Sequence, residues 1–264
     1  METVEYGPRG LIGVMTPQAN TTVEPEFYLM WPPGYAMINA RLTSPKKTIE
    51  ERLVDYYDAL EDELVQFANA PIRAVSVACT GASYLVGAKK EAELVARWTA
   101  KAGVPVVTAG IAVAQAFRAM GAKRIGLASP YPPGLTEISV GYWNDMGFDV
   151  GAVAGTFNTD PAFHPIYSLT ADSADACLLA LDAKDIDAIV MLGTGMPTLE
   201  PIARAAKRSG PPVISCMLAL AWATLEAADG GSADPLGRLR GFIAGDGWAE
   251  RLAAQKAGAA AGRP

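Results

Sequence analysis

Two stretches of the sequence decide the fold: VSVACTGASY at residues 75–84 and IVMLGTGMPT at residues 189–198. Each stretch passes from apolar, β-branched residues into a loop of small residues and then into helix-like sequence. Residues 79–81 (CTG) hold the same place in the first stretch as residues 193–195 (GTG) hold in the second. Their separation suits two lobes of about 100 residues each, a common domain size. The chain is therefore predicted to be a duplicated unit.

Short apolar runs recur along the chain and predict buried parallel strands. Helical patterns separate them, the clearest having Leu53, Tyr57 and Leu60 on one face and continuing through Leu64 and Phe67. This βαβα alternation predicts a doubly wound parallel-sheet fold of the α/β class, with its site beyond the carboxyl ends of the strands. The predicted strands are residues 11–15, 74–78, 104–107, 124–128, 150–154, 188–192 and 212–215.

The duplication also predicts the domain boundaries. We expect a first lobe over residues 1–110, joined by the C-terminal segment 216–255, and a second lobe over residues 111–215. Residues 256–264 are rich in Gly and Ala and are predicted to form a flexible tail.

Composition excludes several classes of function. The 264 residues are 50% hydrophobic and 19% charged, as in a folded globular chain, and the formal net charge of -6 disfavours nucleic acid as a partner. No apolar run approaches the ~20 residues of a membrane helix, and the N-terminus lacks a signal-peptide pattern. We therefore expect a cytoplasmic protein that does not span a membrane. Apolar faces on such lobes often pair, which leaves homo-oligomerisation open.

The scarcity of histidine and cysteine limits the chemistry. His164 is the one histidine, so metal sites and Ser-His-Asp catalysis are disfavoured, and we assign this residue no role. An odd number of cysteines predicts reduced thiols rather than a disulfide framework. Neither G-x-G-x-x-G nor a phosphate-binding loop is present, and neither pyridoxal phosphate nor nicotinamide has a recognisable anchor. We expect no metal and no cofactor.

Four loops of small and hydroxyl residues follow predicted strands: residues 16–22, 79–83, 129–131 and 193–198. If the strands are parallel, these loops converge at one sheet edge, where unsatisfied N–H groups at helix N-termini favour an anion such as a carboxylate. The set of loops taken together, rather than any one of them, predicts a site for a small carboxylate.

The three cysteines receive different interpretations. Cys79 lies between a strand and a helix, where the helix dipole is expected to lower its pKa and activate it; the alternative is a small buried hydrophobe. Cys177 has the spacing of an apolar helix face and is predicted to lie in the core. Cys216 either lines the cleft from the opposite side or serves packing. Asn20 either donates its amide to a carboxylate or caps the helix beginning near Thr22.

These loops resemble the aspartate/glutamate racemase superfamily, in particular its branch of arylmalonate decarboxylases and maleate cis-trans isomerases. The resemblance covers nearly the whole chain. It implies two pseudo-symmetric α/β lobes with the site in the crevice between them. The matching motifs are Pro17-x-x-Asn20-Thr-x-x-Glu24, Ala78-Cys79-Thr80-Gly81-x-Ser83, Ala128-Ser129-Pro130-Tyr131, Met196-Pro-Thr-Leu199, and Ser215 with Ala219-Leu-Ala-Trp222.

The resemblance also implies a mechanism. Family members with two-base chemistry carry one cysteine in each lobe, whereas here Cys79 matches the first and Gly193 stands at the second. The arylmalonate decarboxylases work with one thiol, typically the second, so the pair is reversed here. The implied reaction is decarboxylation of a malonate-type dicarboxylate through an enediolate that Cys79 protonates, from the face opposite to that used in the relatives. Substrate-binding roles are implied for Asn20, Thr80, Gly81, Ser83, Ser129, Tyr131, Gly193, Thr194 and Gly195.

Two alternatives stay open. The Asn-Thr-Thr of residues 20–22 resembles the maleate isomerases, in which a thiolate adds to the double bond and elimination follows rotation; Thr194 or Cys216 would then have to replace the second cysteine. A protein that binds carboxylates without turnover would also keep the anion loops while lacking one catalytic group.

Overall fold

A computed structural model describes residues 4–159 and 165–261 of the chain. These residues contain two parallel sheets of four strands each. The first sheet has the order β2-β1-β3-β4, with β1 (Gly10–Pro17), β2 (Tyr35–Leu42), β3 (Ile72–Val77) and β4 (Val106–Thr108). The second has the order β6-β5-β7-β8, with β5 (Arg124–Ser129), β6 (Asp149–Gly155), β7 (Ala188–Met191) and β8 (Val213–Ser215). The identical strand order confirms the predicted two-lobed α/β fold.

Helices connect and cover the strands. In the first half they are α1 (Val23–Met30), α2 (Ile49–Glu63) followed by a 3₁₀ turn (Leu64–Phe67), α3 (Thr80–Val86), α4 (Ala88–Ala102) and α5 (Ala109–Met120). In the second half they are α6 (Pro133–Asp145), α7 (Ala171–Leu179), α8 (Leu199–Ala205), α9 (Cys216–Asp229), α10 (Pro235–Ala244) and α11 (Trp248–Ala261). None of the described helices is both long enough and apolar enough to cross a membrane.

The strand order places a topological switch point in the middle of each sheet. The chain leaves β1 towards one edge of the first sheet and leaves β3 towards the other, and β5 and β7 do the same in the second. Connections that diverge in this way open a crevice at the carboxyl ends of the two central strands. The four loops predicted to carry the site follow β1, β3, β5 and β7, the central strands.

Helix α2 follows the predicted amphipathic pattern. The Thr48 hydroxyl accepts the Glu51 N–H and the Glu51 carboxylate accepts the Thr48 N–H, a reciprocal arrangement that starts the helix. Leu53, Tyr57 and Leu60 are buried, as predicted. The last two positions of the pattern, Leu64 and Phe67, lie in the 3₁₀ turn instead. Helix α2 packs on α3 and thereby reaches the crevice.

Helix α9 is buried along most of its length, from residue 216 to residue 225. A helix without a polar face belongs in the core, and α9 packs against α5, β3, β4 and α1. Cys177, on α7, is buried as predicted. The lobe boundaries remain predictions. Of the predicted tail, residues 256–261 continue α11, and residues 262–264 lie outside the described part of the chain.

Candidate active site

One pocket opens at the carboxyl ends of the central strands and encloses about 520 Å³ of empty space, its mouth included. Loops from both halves of the chain meet there. The pocket is lined by the predicted residues Asn20, Cys79, Thr80, Gly81, Tyr131, Thr194 and Gly195.

Cys79 immediately precedes α3 and faces the pocket with only 2% of its surface exposed. Burial raises the pKa of its thiol to about 12; the N–H of Ala82 favours the thiolate, and the nearby Glu91 opposes it. The expectation that the helix start lowers this pKa is therefore wrong, because loss of hydration outweighs one N–H donor. At neutral pH Cys79 is a neutral thiol, which suits a proton donor.

Thr80 and Tyr131 place hydroxyl groups beside this thiol. Thr80 is 1% exposed, and its hydroxyl lies near the Tyr131 hydroxyl and the Cys216 thiol without meeting either at normal hydrogen-bond geometry. Burial raises the pKa of Tyr131 well above its usual value, so its hydroxyl stays a donor, and Thr80 and Cys79 both lie close enough to influence it. A buried hydroxyl left unpaired costs about 1–3 kcal/mol. A ligand oxygen in the pocket would supply the missing acceptor.

Asn20 caps a helix, which is one of its two predicted roles, and it also lines the pocket. Its Oδ1 accepts the N–H groups of Thr22 (2.8 Å) and Val23 (3.2 Å) and so caps the start of α1. Its Nδ2 donates to Thr194 Oγ1 at 3.4 Å, and that hydroxyl donates to the Ala78 carbonyl at 2.7 Å. The second amide hydrogen of Asn20 has no acceptor in the described part of the chain and remains available for a carboxylate.

Three of the residues predicted to bind substrate do not line the pocket. Ser83 turns away from it and donates to Glu91 Oε1 at 2.6 Å. The Ser129 hydroxyl pairs with that of Thr136 at 2.7 Å and accepts the Tyr131 N–H, so it shapes the loop rather than a ligand. Gly193 is the third.

Gly193 has a φ of +81°, a conformation that favours glycine. A Cβ at this position would lie 3.0 Å from Pro130 Cγ. Its N–H points at the sulfur of Cys216, which is fully buried and does not line the pocket. Burial raises the pKa of Cys216 to about 11. Cys216 therefore serves packing, and the cleft-lining alternative is not met.

Sequence reasoning missed the other wall of the pocket. Helix α2 contributes Arg52 and Tyr56, and the segment after the undescribed residues contributes Tyr167. The ring of Tyr167 lies against Gly195, where a Cβ would be 2.4 Å from its Cε1. The amphipathic pattern of α2 indicates a buried face but not which part of that face borders a cavity. Ile49, Leu53 and Ile166 also line the pocket and were not predicted to do so. The first loop adds Pro17, Gln18 and Ala19 to the lining.

A buried carboxylate lies behind Cys79. Glu91 of α4 is fully buried, and its Oε1 accepts the Ser83 hydroxyl at 2.6 Å, while Ser83 Oγ accepts the Tyr57 hydroxyl at 2.9 Å. Its Oε2 accepts the Tyr142 hydroxyl of α6 at 2.5 Å. The Tyr57 hydroxyl also lies 3.3 Å from the Cys79 carbonyl oxygen. Burial raises the pKa of Glu91 against these hydrogen bonds, and the network joins α2, α3, α4 and α6 around the backbone of the cysteine.

A second buried carboxylate, Glu26 of α1, spans the two halves of the chain. Its Oε1 accepts the Thr198 N–H at 2.7 Å and the Leu199 N–H at 3.4 Å, and so caps α8. Burial nevertheless raises its pKa to about 7, against these hydrogen bonds. A carboxyl group whose folded pKa lies above the ordinary value of 4.5 stabilises the fold fully below pH 4.5 and loses that contribution as pH rises to about 7.

Substituting Glu26→Gln is expected to flatten the pH dependence of stability. Wild type should lose up to about 3 kcal/mol of unfolding free energy through this group between pH 5 and pH 8, and the variant should not, because its amide does not ionise. Urea unfolding at both pH values measures the difference. The exposed Glu137→Gln serves as the control. Equal pH dependence in wild type and Glu26→Gln would contradict the expectation.

No group of three or more His, Cys, Asp or Glu side chains is placed to hold a metal ion within residues 4–159 and 165–261. His164, to which the sequence assigns no role, lies outside those ranges.

The duplicated parallel sheets and the thiol-bearing pocket at their switch points are those of an α/β enzyme of the aspartate/glutamate racemase type. The profile of the arylmalonate decarboxylase family matches residues 12–240. The chain therefore belongs to the arylmalonate decarboxylase family and is an enzyme.

Curated relatives of two activities are similar to the chain. It is 28% identical over 233 residues to a maleate isomerase of Pseudomonas putida, covering 83% of this chain and 91% of that protein. It is 27% identical over 189 residues to an arylmalonate decarboxylase of Bordetella bronchiseptica, covering 67% of this chain and 75% of that protein.

Solved structures of both kinds share the fold. The maleate isomerase Iso of Pseudomonas putida S16 superposes with a TM-score of 0.76 at 24% identity, covering 83% of this chain and 93% of that one. An arylmalonate decarboxylase variant with one glycine-to-cysteine and one cysteine-to-serine substitution, in liganded form, superposes with a TM-score of 0.70 at 22% identity, covering 84% and 94%.

Proposed function

We propose that the protein decarboxylates a small malonate-type dicarboxylate without a cofactor and that Cys79 protonates the product carbon. The observation that carries the proposal is one neutral thiol in the pocket, with Gly193 at the matching position of the second half. Among the described residues, Cys79 is the one cysteine that lines the pocket. Decarboxylation followed by protonation needs a single acid on one face of the carbon.

The polar end of the pocket supplies donors for the carboxylate that remains. The unpaired Thr80 hydroxyl, the free amide hydrogen of Asn20 and the neutral Tyr131 hydroxyl border the same space as Cys79. Donors placed where charge develops stabilise an enediolate, and each contributes on the order of 3 kcal/mol in an enclosed site. In this assignment they bind the retained carboxylate and the enediolate formed from it.

Apolar side chains border another part of the pocket, among them Ile49, Leu53 and Ile166. A carboxylate placed against them loses hydration, which raises its energy relative to neutral CO₂. The bond between the α-carbon and this carboxylate breaks, CO₂ leaves, and the electron pair passes to the enediolate. The α-carbon then takes the proton of the Cys79 thiol, and water returns a proton to the thiolate.

Maleate isomerisation is the second candidate, and Asn20 favours it because its amide faces the pocket. That reaction starts with a thiolate adding to the double bond, whereas burial holds Cys79 in its neutral form. It also uses a second thiol in the relatives. Gly193 has a positive φ, and a Cβ there would approach Pro130 to 3.0 Å, so both features oppose a cysteine at that position.

Assays with phenylmalonate, with a prochiral aryl methyl malonate and with maleate separate the two reactions. We expect CO₂ release from the malonates and no loss of the maleate alkene. Because the acid stands in the first lobe, the chiral product should be the mirror image of that formed by a decarboxylase whose thiol stands in the second lobe. Fumarate formation without CO₂ release would replace decarboxylation with isomerisation, and a product of the usual hand would reject Cys79 as the acid.

A further inference from the structure

Arg52 is the one charged side chain among the described residues that line the pocket. It projects from the first turns of α2, is partly buried, and borders the same cavity as Cys79 and Thr80. Within the described ranges 4–159 and 165–261, no Asp or Glu joins this lining. The described lining therefore carries a net positive charge, and an anion is the ligand that such a lining favours.

The charge of the Arg52 guanidinium is not paired by an acidic group in the described part of the chain. Its Nε donates to the Thr48 carbonyl at 3.3 Å, and no ion pair forms with it among residues 4–159 and 165–261. Two acidic residues near it in sequence are engaged elsewhere, because Glu51 pairs with Thr48 and Asp55 accepts the Ser44 hydroxyl. By contrast, Arg41, on β2, is paired with Glu24 and does not line the pocket.

Arg52 and Cys79 border the cavity from different elements, and both residues influence the ionisation of two tyrosines. The pKa values of Tyr56 and Tyr167 are raised by burial, then further by Cys79, and are lowered by the charge of Arg52. Both tyrosines line the pocket. Cys79 and Thr80 stand at the start of α3 and Arg52 stands on α2, and we call these two parts of the lining the reacting end and the cationic end.

We propose that Arg52 binds an anionic group of the substrate remote from the reacting carbon, so that the favoured substrate carries, beyond its malonate pair, a further carboxylate at the cationic end of the cavity. This inference rests on the proposed function for the reacting end. The group at Arg52 is one that the substrate keeps. An ion pair with a departing carboxylate would be lost as neutral CO₂ forms and would stabilise the ground state more than the transition state.

Binding of unreactive acids tests this inference without turnover. Succinate and glutarate carry two carboxylates, and butyrate and valerate are their single-carboxylate counterparts of equal chain length. Isothermal titration calorimetry at low ionic strength, where the guanidinium field is least screened, gives the ratio of the two Kd values in each pair. We expect wild type to bind the dicarboxylate of at least one pair about tenfold more tightly or better.

Arg52→Gln should bring that ratio close to one, and Arg52→Lys should retain part of it. Lys47→Gln, which removes an exposed positive charge just before the same helix, is the matched control and should behave as wild type. A ratio unchanged in Arg52→Gln overturns the proposal, as does a wild-type ratio near one or an absence of detectable binding of both dicarboxylates. Thermal melting curves check that each variant is folded.

The outcome is distinguishable from that of the proposed function, because neither succinate nor glutarate is a malonate or an alkene. If Arg52→Gln loses the dicarboxylate preference and wild type turns over neither malonates nor maleate, the role of Arg52 stands and the decarboxylase proposal fails. If wild type turns over malonates but shows no preference that depends on Arg52, the decarboxylase proposal stands and the role of Arg52 fails.

Discussion

Substituting Cys79→Ser is expected to lower kcat for malonate decarboxylation by about 10²-fold to 10⁴-fold, the range that a positioned general acid contributes. A serine hydroxyl fills nearly the same space but is a far weaker acid than the thiol, so protonation of the enediolate slows. Substrate affinity should change little, because the donors of Asn20, Thr80 and Tyr131 remain in place.

Cys177→Ser is the matched control, because this thiol is buried on α7 and does not line the pocket. It should leave kcat unchanged when the two variants are assayed side by side for CO₂ release. Full activity in Cys79→Ser would remove this residue from the mechanism. A rise in KM without a fall in kcat would make it a binding residue only.

Substituting Glu91→Leu is expected to lower the unfolding free energy by about 3 kcal/mol, the largest stability effect that we expect in this protein. The change leaves the hydroxyl groups of Ser83 and Tyr142 without their acceptor in a fully buried place, and it removes the group that orients Ser83 towards Tyr57. Glu91→Gln keeps one acceptor oxygen and a neutral side chain, and should cost about 1 kcal/mol.

Urea unfolding followed by tryptophan fluorescence measures these differences. Glu93→Leu lies on the exposed side of the same helix, where the carboxylate pairs with Lys90 at 3.7 Å, and should change stability by less than about 0.5 kcal/mol. If Glu91→Leu were as stable as wild type, the hydroxyl groups would have found other partners and the network would have no structural role.

The strands were predictable where their apolar runs are uninterrupted, the exposed edge strand β6 included. The seven predicted runs all correspond to observed strands, with ends that differ by one or two residues. The sequence analysis missed β2, which forms an edge of the first sheet and has mostly half-buried residues. An edge strand is not enclosed on both faces, so polar residues such as Asn39 and Arg41 interrupt its apolar run.

The loops that line the pocket were predictable from the sequence, and the opposite wall, to which α2 contributes, was not. Asn20, Cys79 and Thr194 follow central strands, and parallel strands bring their carboxyl ends together whatever the remaining sequence. Arg52 and Tyr56 come from the middle of a helix whose pattern indicates burial alone. Which part of that face borders a cavity depends on how α2 packs on α3.

The sequence by itself determined the duplicated α/β fold, the strand ends that carry the site and the single thiol in the first half, because periodicity and short loops are local properties of the chain. Only the tertiary structure decided where the hydroxyl groups point and how the thiol ionises. Ser83 turns to Glu91, Thr80 is left without a partner, and burial raises the pKa of Cys79. Hydrogen-bond partners and hydration are set by residues distant in sequence, so the neighbours along the chain do not reveal them.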